Sequence, residues 1–128
     1  ALIDLEIEKI VEAIRTNGGT PIILSNSPDF LVKKFAQRSK IQTYHATPYA
    51  INDEGNFDSI PFIMDGPKKA HMVQQLAREN NIPIEHTLGY SDSIHDLAFL
   101  ESVGTPIATH PDPALRSIAE KNGWQIIN

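Results

Sequence analysis

The chain has 128 residues, 16 Asp and Glu against 11 Lys and Arg, a formal net charge of −5 and no cysteine. That length holds one compact domain with a core and is short for two. The acidic balance argues against nucleic acid or an anionic membrane as the main partner, and the cysteine count excludes a disulfide framework and a thiolate metal site. No apolar run approaches the roughly 20 residues of a membrane span, and the N-terminus has no signal-peptide layout, so a cytoplasmic setting is expected. The chain begins at Ala1 rather than Met, which leads to the expectation of a segment upstream.

Ile3, Ile7, Ile10, Val11 and Ile14 recur at helical spacing and predict a helix over Leu2–Thr16, ended by Gly18-Gly19. "PIIL", Pro21–Leu24, predicts a short buried strand. Ser27 then reads as the cap of a second helix, with Pro28 at its first position and Phe30, Leu31 and Phe35 on one face. "IQTYHATPYAINDEGNFDSIPFIMDG" alternates around Asp53-Glu54-Gly55-Asn56 and reads as a hairpin. A third helix is expected from about Pro67 to Asn80, a strand at "IEHTLGY" and a helix over Ser93–Val103. A strand at "TPIAT", a helix over Pro113–Lys121 and a last strand at "WQII" complete the chain. This alternation predicts an α/β fold, a Rossmann-like parallel sheet with helices on both faces and one β-hairpin inserted.

In such sheets ligands gather at the carboxyl ends of the strands. The polar residues expected there are Ser25-Asn26-Ser27, Gly66-Pro67-Lys68-Lys69, Ser91-Asp92-Ser93 with Asp96 one turn on, and His110-Pro111-Asp112. A hydroxyl, an ammonium and carboxylates at one edge suit a phosphate handled with Mg2+. Ser25 can donate to a phosphoryl oxygen beside backbone N–H groups, Lys69 can supply a positive charge, and Asp92 can hold the hard cation. Each has a plainer explanation. Ser25 can be a loop hydroxyl, one of Lys68 and Lys69 a solvated lysine, and Ser93-x-x-Asp96 a capping box. The capping box leaves Asp92 unexplained. His45, His71, His86, His95 and His110 show no metal-ligand pairing at helical spacing, and no nucleophile elbow or phosphate-cradling glycine loop is present.

Four stretches, "PIILSNSPDFLVKKFA", "YAINDEGNF", "DGPKKAHMVQQLA" and "GYSDSIHDLAFLESVGTPIATHPDPALRSIAEKNGW", make the chain resemble the haloacid dehalogenase superfamily of phosphohydrolases. Within it they are similar to the phosphoserine-phosphatase-like branch, subfamily IB. The resemblance implies that Ser25 ends the strand of the second motif and that Lys69, favoured over Lys68 by helix register, is the lysine of the third. It also implies that Asp92 and Asp96 are the acidic pair of the fourth. Ser25, Asn26 and Lys69 would then bind phosphate, Asp92 would ligate Mg2+, and Asp96 would support the site by pairing with Lys69. His110 stands where many relatives have Asn.

The chain departs from the family at the first motif, Asp-x-Asp after a buried strand, which supplies the nucleophile and the general acid and base. The only candidate is Asp4 with Glu6 in "ALIDLEI", and Asp4 lies 21 positions before Ser25. The expected helix fills that interval and leaves no room for a flap and cap, so both acids read as helix-surface groups. The expectation is a single core domain over 1–128, the C-terminal part of a longer phosphatase, with weak or absent Mg2+ binding. Its ligand would be a small phosphorylated metabolite, and a homo-oligomer or a missing N-terminal segment would cover exposed sheet edges. A non-catalytic protein binding a phosphorylated ligand or a partner is the alternative. A receiver-type signalling domain is disfavoured by chain order, because here the hydroxyl comes first, then the lysine, then the acids.

Overall fold

The computed structural model describes residues 4–128, with side chains described from residue 8 onward apart from Asp58; Leu2 and Ile3 lie outside the described residues. The chain divides into two compact units, Ala1–Met64 and Asp65–Asn128. Both are α/β and both contain parallel sheet, the fold that the alternation predicts.

In the first unit, α1 (Asp4–Thr16) is amphipathic, and Val11 on its inner face packs with Ala36 and Ile41. Arg15 near its end donates to the carbonyls of Ser39 and Lys40 at 3.0 and 2.6 Å, tying α1 to the turn that holds those two residues. The strand β1 (Ile22–Pro28) runs parallel to β2 (Thr43–Thr47), connected by α2 (Asp29–Arg38). The register is regular from Ile22↔Thr43 to Leu24↔His45 and then shifts before Pro28↔Thr47. Ser25, Asn26 and Ser27 occupy that irregular stretch.

Two expectations are corrected here. Pro28, not Ser27, is the N-cap of α2, and no side chain caps this helix. The Ser27 N–H instead donates to Ser25 Oγ at 3.1 Å, a local turn that holds the backbone extended through Pro28. The predicted hairpin is also too long. Its first part, Thr43–Thr47, is a parallel partner of β1, and only β3 (Ala50–Ile51) and β4 (Phe57–Ser59) pair antiparallel. Alternation records which side chains are buried and not which strand is adjacent. Thr47, buried at the end of β2, accepts from the Met64 N–H at 2.9 Å.

In the second unit, α3 (Gly66–Glu79) starts at Asp65, whose carboxylate accepts from the Lys68 N–H at 3.0 Å with Pro67 in the first turn. The strands β5 (Leu88–Ser91), β6 (Thr105–Thr109) and β7 (Gln125–Ile127) form a parallel sheet in that order. Between β5 and β6 lie a 3-10 turn, Ile94–Asp96, and α4 (Leu97–Ser102), where one helix over Ser93–Val103 is expected from the sequence. "IEH" is likewise a 3-10 turn, so the strand is shorter than "IEHTLGY". The last helix, α5 (Pro113–Asn122), begins at Asp112 and ends at Gly123 with φ 68°, the left-handed cap that glycine supplies without strain. Leu100, Ala108, Leu115 and Ala119 form the core, with Ile94, Phe99, Trp124 and Ile126 around it. Among the described residues no helix is long and apolar enough to cross a membrane.

Candidate active site

The parallel register aligns Ser91 with Ala108, so the chain leaves β5 and β6 at the same edge. Asp92 follows β5 directly, and the 3-10 turn brings Asp96 back toward the N-terminal turn of α3. Gly66 makes that approach possible, since a side-chain carbon there would collide with the His95 carbonyl oxygen.

Lys69, one turn into α3, is 7% exposed. Its Nζ donates to Asp96 Oδ1 at 2.8 Å, the pairing that the resemblance implies. The other carboxylate oxygen, Oδ2, accepts from the Ser91 hydroxyl at 2.7 Å, and Ser91 Oγ in turn accepts from the Ser93 N–H at 3.2 Å. An ammonium this buried needs a counter-charge, and a carboxylate this buried needs donors on both oxygens. Asp96 and Ser91 meet both demands and fix where the lysine charge sits. Lys68, its neighbour, is exposed.

The capping-box explanation of Ser93 and Asp96 does not hold. The Asp96 N–H donates to the Ser93 carbonyl at 3.0 Å, Ser93 Oγ accepts from the His95 N–H at 3.1 Å, and the Asp96 carboxylate is committed to Lys69 and Ser91. No reciprocal bond to the Ser93 N–H forms.

Asp92 is half-buried, and no hydrogen bond or ion pair engages its carboxylate among the described residues. That leaves a hard oxygen ligand available. Mg2+ keeps several waters and takes one or two carboxylates plus substrate phosphate, so the donor set fits a site with one protein ligand. No group of three or more His, Cys, Asp or Glu able to hold a metal occurs among the described residues.

Ser25 is half-buried and Asn26 exposed in the first unit, with the Ser25 hydroxyl oxygen accepting from the Ser27 N–H. Asp4 and Glu6 belong to the backbone of α1, a helix and not a strand; their side chains lie outside the described residues. His71, His86, His95 and His110 are exposed and His45 half-buried. His110 has φ 44°, a left-handed conformation in which Asn, Asp and His are the common non-glycine residues.

Two residues named only as strand-end polar groups turn out to organise this edge. Ser91 is one. Asp112 is the other: its Oδ1 accepts from the Leu115 N–H at 2.8 Å and its Oδ2 from the Ile94 N–H at 2.9 Å. These two bonds, the Ile94 one first, hold its carboxyl below the usual carboxylate range. "Asp-Pro" before an apolar period signals the helix cap, but no local pattern signals the bond to Ile94.

The profile of haloacid dehalogenase-like hydrolases matches residues 2–101. The chain belongs to that family. It is 30% identical over 127 residues to a probable phosphatase of Mycobacterium tuberculosis, covering 99% of this chain and 44% of that protein. It is 42% identical over 64 residues to a phosphoserine phosphatase of the same organism, covering 50% of this chain and 21% of that one. A crystal structure of a Bordetella pertussis protein of unknown function superposes with a TM-score of 0.81 at 25% identity, covering 97% of this chain and 57% of that one. The chain thus spans less than half the length of the phosphatase it matches over nearly its whole extent. The phosphoserine-phosphatase-like branch expected from the motifs agrees with these relatives.

Proposed function

We propose that this chain is the phosphoryl- and metal-holding part of a Mg2+-dependent phosphomonoester hydrolase acting on a small phosphorylated metabolite in the cytoplasm, and that alone it does not turn over. The observation that carries the reading is the buried Lys69–Asp96–Ser91 network beside an unengaged Asp92 carboxylate. A structural salt bridge needs only the first of these. A phosphatase of this family needs both, a fixed positive charge and an available metal ligand at one strand edge.

In this mechanism Lys69 neutralises charge on a phosphoryl oxygen, and Asp96 and Ser91 hold the ammonium so that it need not reorganise as charge develops. Asp92 would hold Mg2+, which when bound supplies Lewis-acid stabilisation of phosphoryl oxygens. Ser25 and Asn26, in the first unit, are assigned donation to a phosphate oxygen. None of these side chains serves as a nucleophile with an activating base. The Ser25 hydroxyl is hydrogen-bonded to the Ser27 N–H and to no base among the described residues. A phosphoryl group held without an attacking carboxylate gains electrostatic stabilisation and no new bond.

The test is phosphate release from an aryl phosphate by the purified 128-residue chain with Mg2+. The expected result is no release above an Asp92→Asn control. Robust turnover abolished by Asp4→Asn would overturn the reading and make "ALIDLE" the nucleophile motif. Turnover that survives Asp4→Asn and dies with Asp92→Asn would place a nucleophile elsewhere in the chain.

A further inference from the structure

We propose that Asp112 is a positioning residue for Asp92, gripping the backbone on both sides of Ser93 so that the Asp92 carboxylate is presented at the edge of the β5–β6 sheet. The inference rests on the reading of Asp92 as a metal ligand. Its geometry does not. The Asp112 N–H donates to the Asp92 carbonyl at 2.9 Å, while Asp112 Oδ2 accepts from the Ile94 N–H at 2.9 Å. One residue on the loop after β6 thus holds the two peptide groups that flank Ser93 on the loop after β5. Its remaining oxygen, Oδ1, accepts from the Leu115 N–H at 2.8 Å and caps α5. The position of this residue is therefore set by a ten-residue helix anchored in the core through Leu115 and Ala119.

Helix capping alone does not account for this arrangement. A cap needs one oxygen, and Ser, Thr or Asn provides it as well as Asp. Only a carboxylate offers two separate acceptor oxygens, here one to the first turn of α5 and one to the loop after β5. The recipient segment also needs such a hold. Among the described residues the Asp92 carboxylate has no side-chain partner, so its direction depends on its own backbone. Other ties on that turn are short-range bonds from the Ser93 N–H to Ser91 Oγ at 3.2 Å, from the His95 N–H to Ser93 Oγ at 3.1 Å and from the Asp96 N–H to the Ser93 carbonyl at 3.0 Å. Groups that orient a metal ligand without touching the metal commonly change metal affinity by about tenfold to a hundredfold when removed.

Asp112→Asn separates the two roles, because the two bonds fall on different carboxylate oxygens and the NH2 that replaces one of them cannot accept. Glu120→Gly, on the exposed face of the same helix, lowers stability without touching either loop. The experiment follows amide hydrogen exchange at Ile94 and a titration with Mg2+ alone read at the Asp92 and Ser93 amides, in the parent chain, both variants and Asp92→Asn. The expected result is that Asp112→Asn speeds exchange at Ile94 and weakens Mg2+ binding, each by about tenfold. Glu120→Gly, with a comparable drop in Tm, should change neither by more than about twofold. Equal losses in both variants would reduce Asp112 to a helix cap and overturn the proposal, as would unchanged exchange at Ile94 in Asp112→Asn. Mg2+ binding that is absent in the parent, or unaffected by Asp92→Asn, would overturn the metal assignment. Exchange at Ile94 would then still decide whether the grip exists.

Discussion

The polar residues assigned to phosphate in the two units are held in different ways. In the second unit, Lys69 and Asp96 are 27 positions apart and joined inside the unit, with Ser91 closing the second carboxylate oxygen. In the first, Ser25 makes its bond to a backbone N–H two residues on, and Asn26 is exposed. The first arrangement is fixed by tertiary structure before any ligand arrives. The second is fixed only by a local turn in an irregular strand end. Burial explains the contrast: a charge taken out of water must be paired, whereas a half-buried hydroxyl and an exposed amide have water as an alternative partner. The charge fixed in advance therefore resides in the second unit, whereas the polar groups at the strand end of the first unit are tied only locally.

Substitutions should rank accordingly. Asp96→Ala leaves the Lys69 ammonium buried without its counter-charge and should lower stability by about 3 kcal/mol in urea denaturation, the largest effect. A loss near that of an exposed ion pair, below about 1 kcal/mol, would remove the distinction between the units. Gly66→Ala forces a methyl group against the His95 carbonyl oxygen and should lower stability by about 2 kcal/mol. In a crystal structure of that variant, Lys69 Nζ and Asp96 Oδ1 should lie farther apart than 2.8 Å.

Acidification sharpens the comparison further. The folded pKa of Asp112 lies below its unfolded value because two N–H groups favour the charged form. Its contribution to stability is therefore complete above the ordinary carboxylate range and is lost as pH falls below about 4. The pH dependence of Tm over that range should be shallower in Asp112→Asn than in the parent. Ser25→Ala should be the mildest change, within about 0.5 kcal/mol in stability, while still lowering the affinity for inorganic phosphate.

The sequence reveals the order of elements in the second unit because each has its own local signal. Asp65 and Pro67 open α3, Asp112 and Pro113 open α5, and Gly123 closes it. The pairing of strands is less visible. Thr43–Thr47 alternates like half of a hairpin yet joins β1 in parallel, because a period of two is the same in both arrangements. Ser27 looks like a helix cap because Ser-Pro commonly opens a helix, but the Ser25 hydroxyl captures its N–H, the strand runs on to Pro28 and the cap moves one residue on. Among site residues, Lys69 and Asp96 could be matched because each occupies a motif position at a fixed offset from a strand or helix start. Ser91 bonds within its own turn, to Asp96 and Ser93, whereas Asp112 reaches Ile94 on a different loop. Such contacts depend on which loops the sheet brings together and leave no periodic trace.

The proposed phosphoryl site depends most directly on Lys69 as its fixed charge. The decisive measurement is the affinity for inorganic phosphate, by isothermal titration, of the parent chain and of Lys69→Gln, whose amide can still donate to Asp96. The account predicts weak binding in the parent and at least about a tenfold loss in Lys69→Gln, a difference of roughly 1.4 kcal/mol, with the fold retained by circular dichroism. Equal affinity in the two folded proteins would show that the Lys69–Asp96–Ser91 network is structural only and would contradict the account.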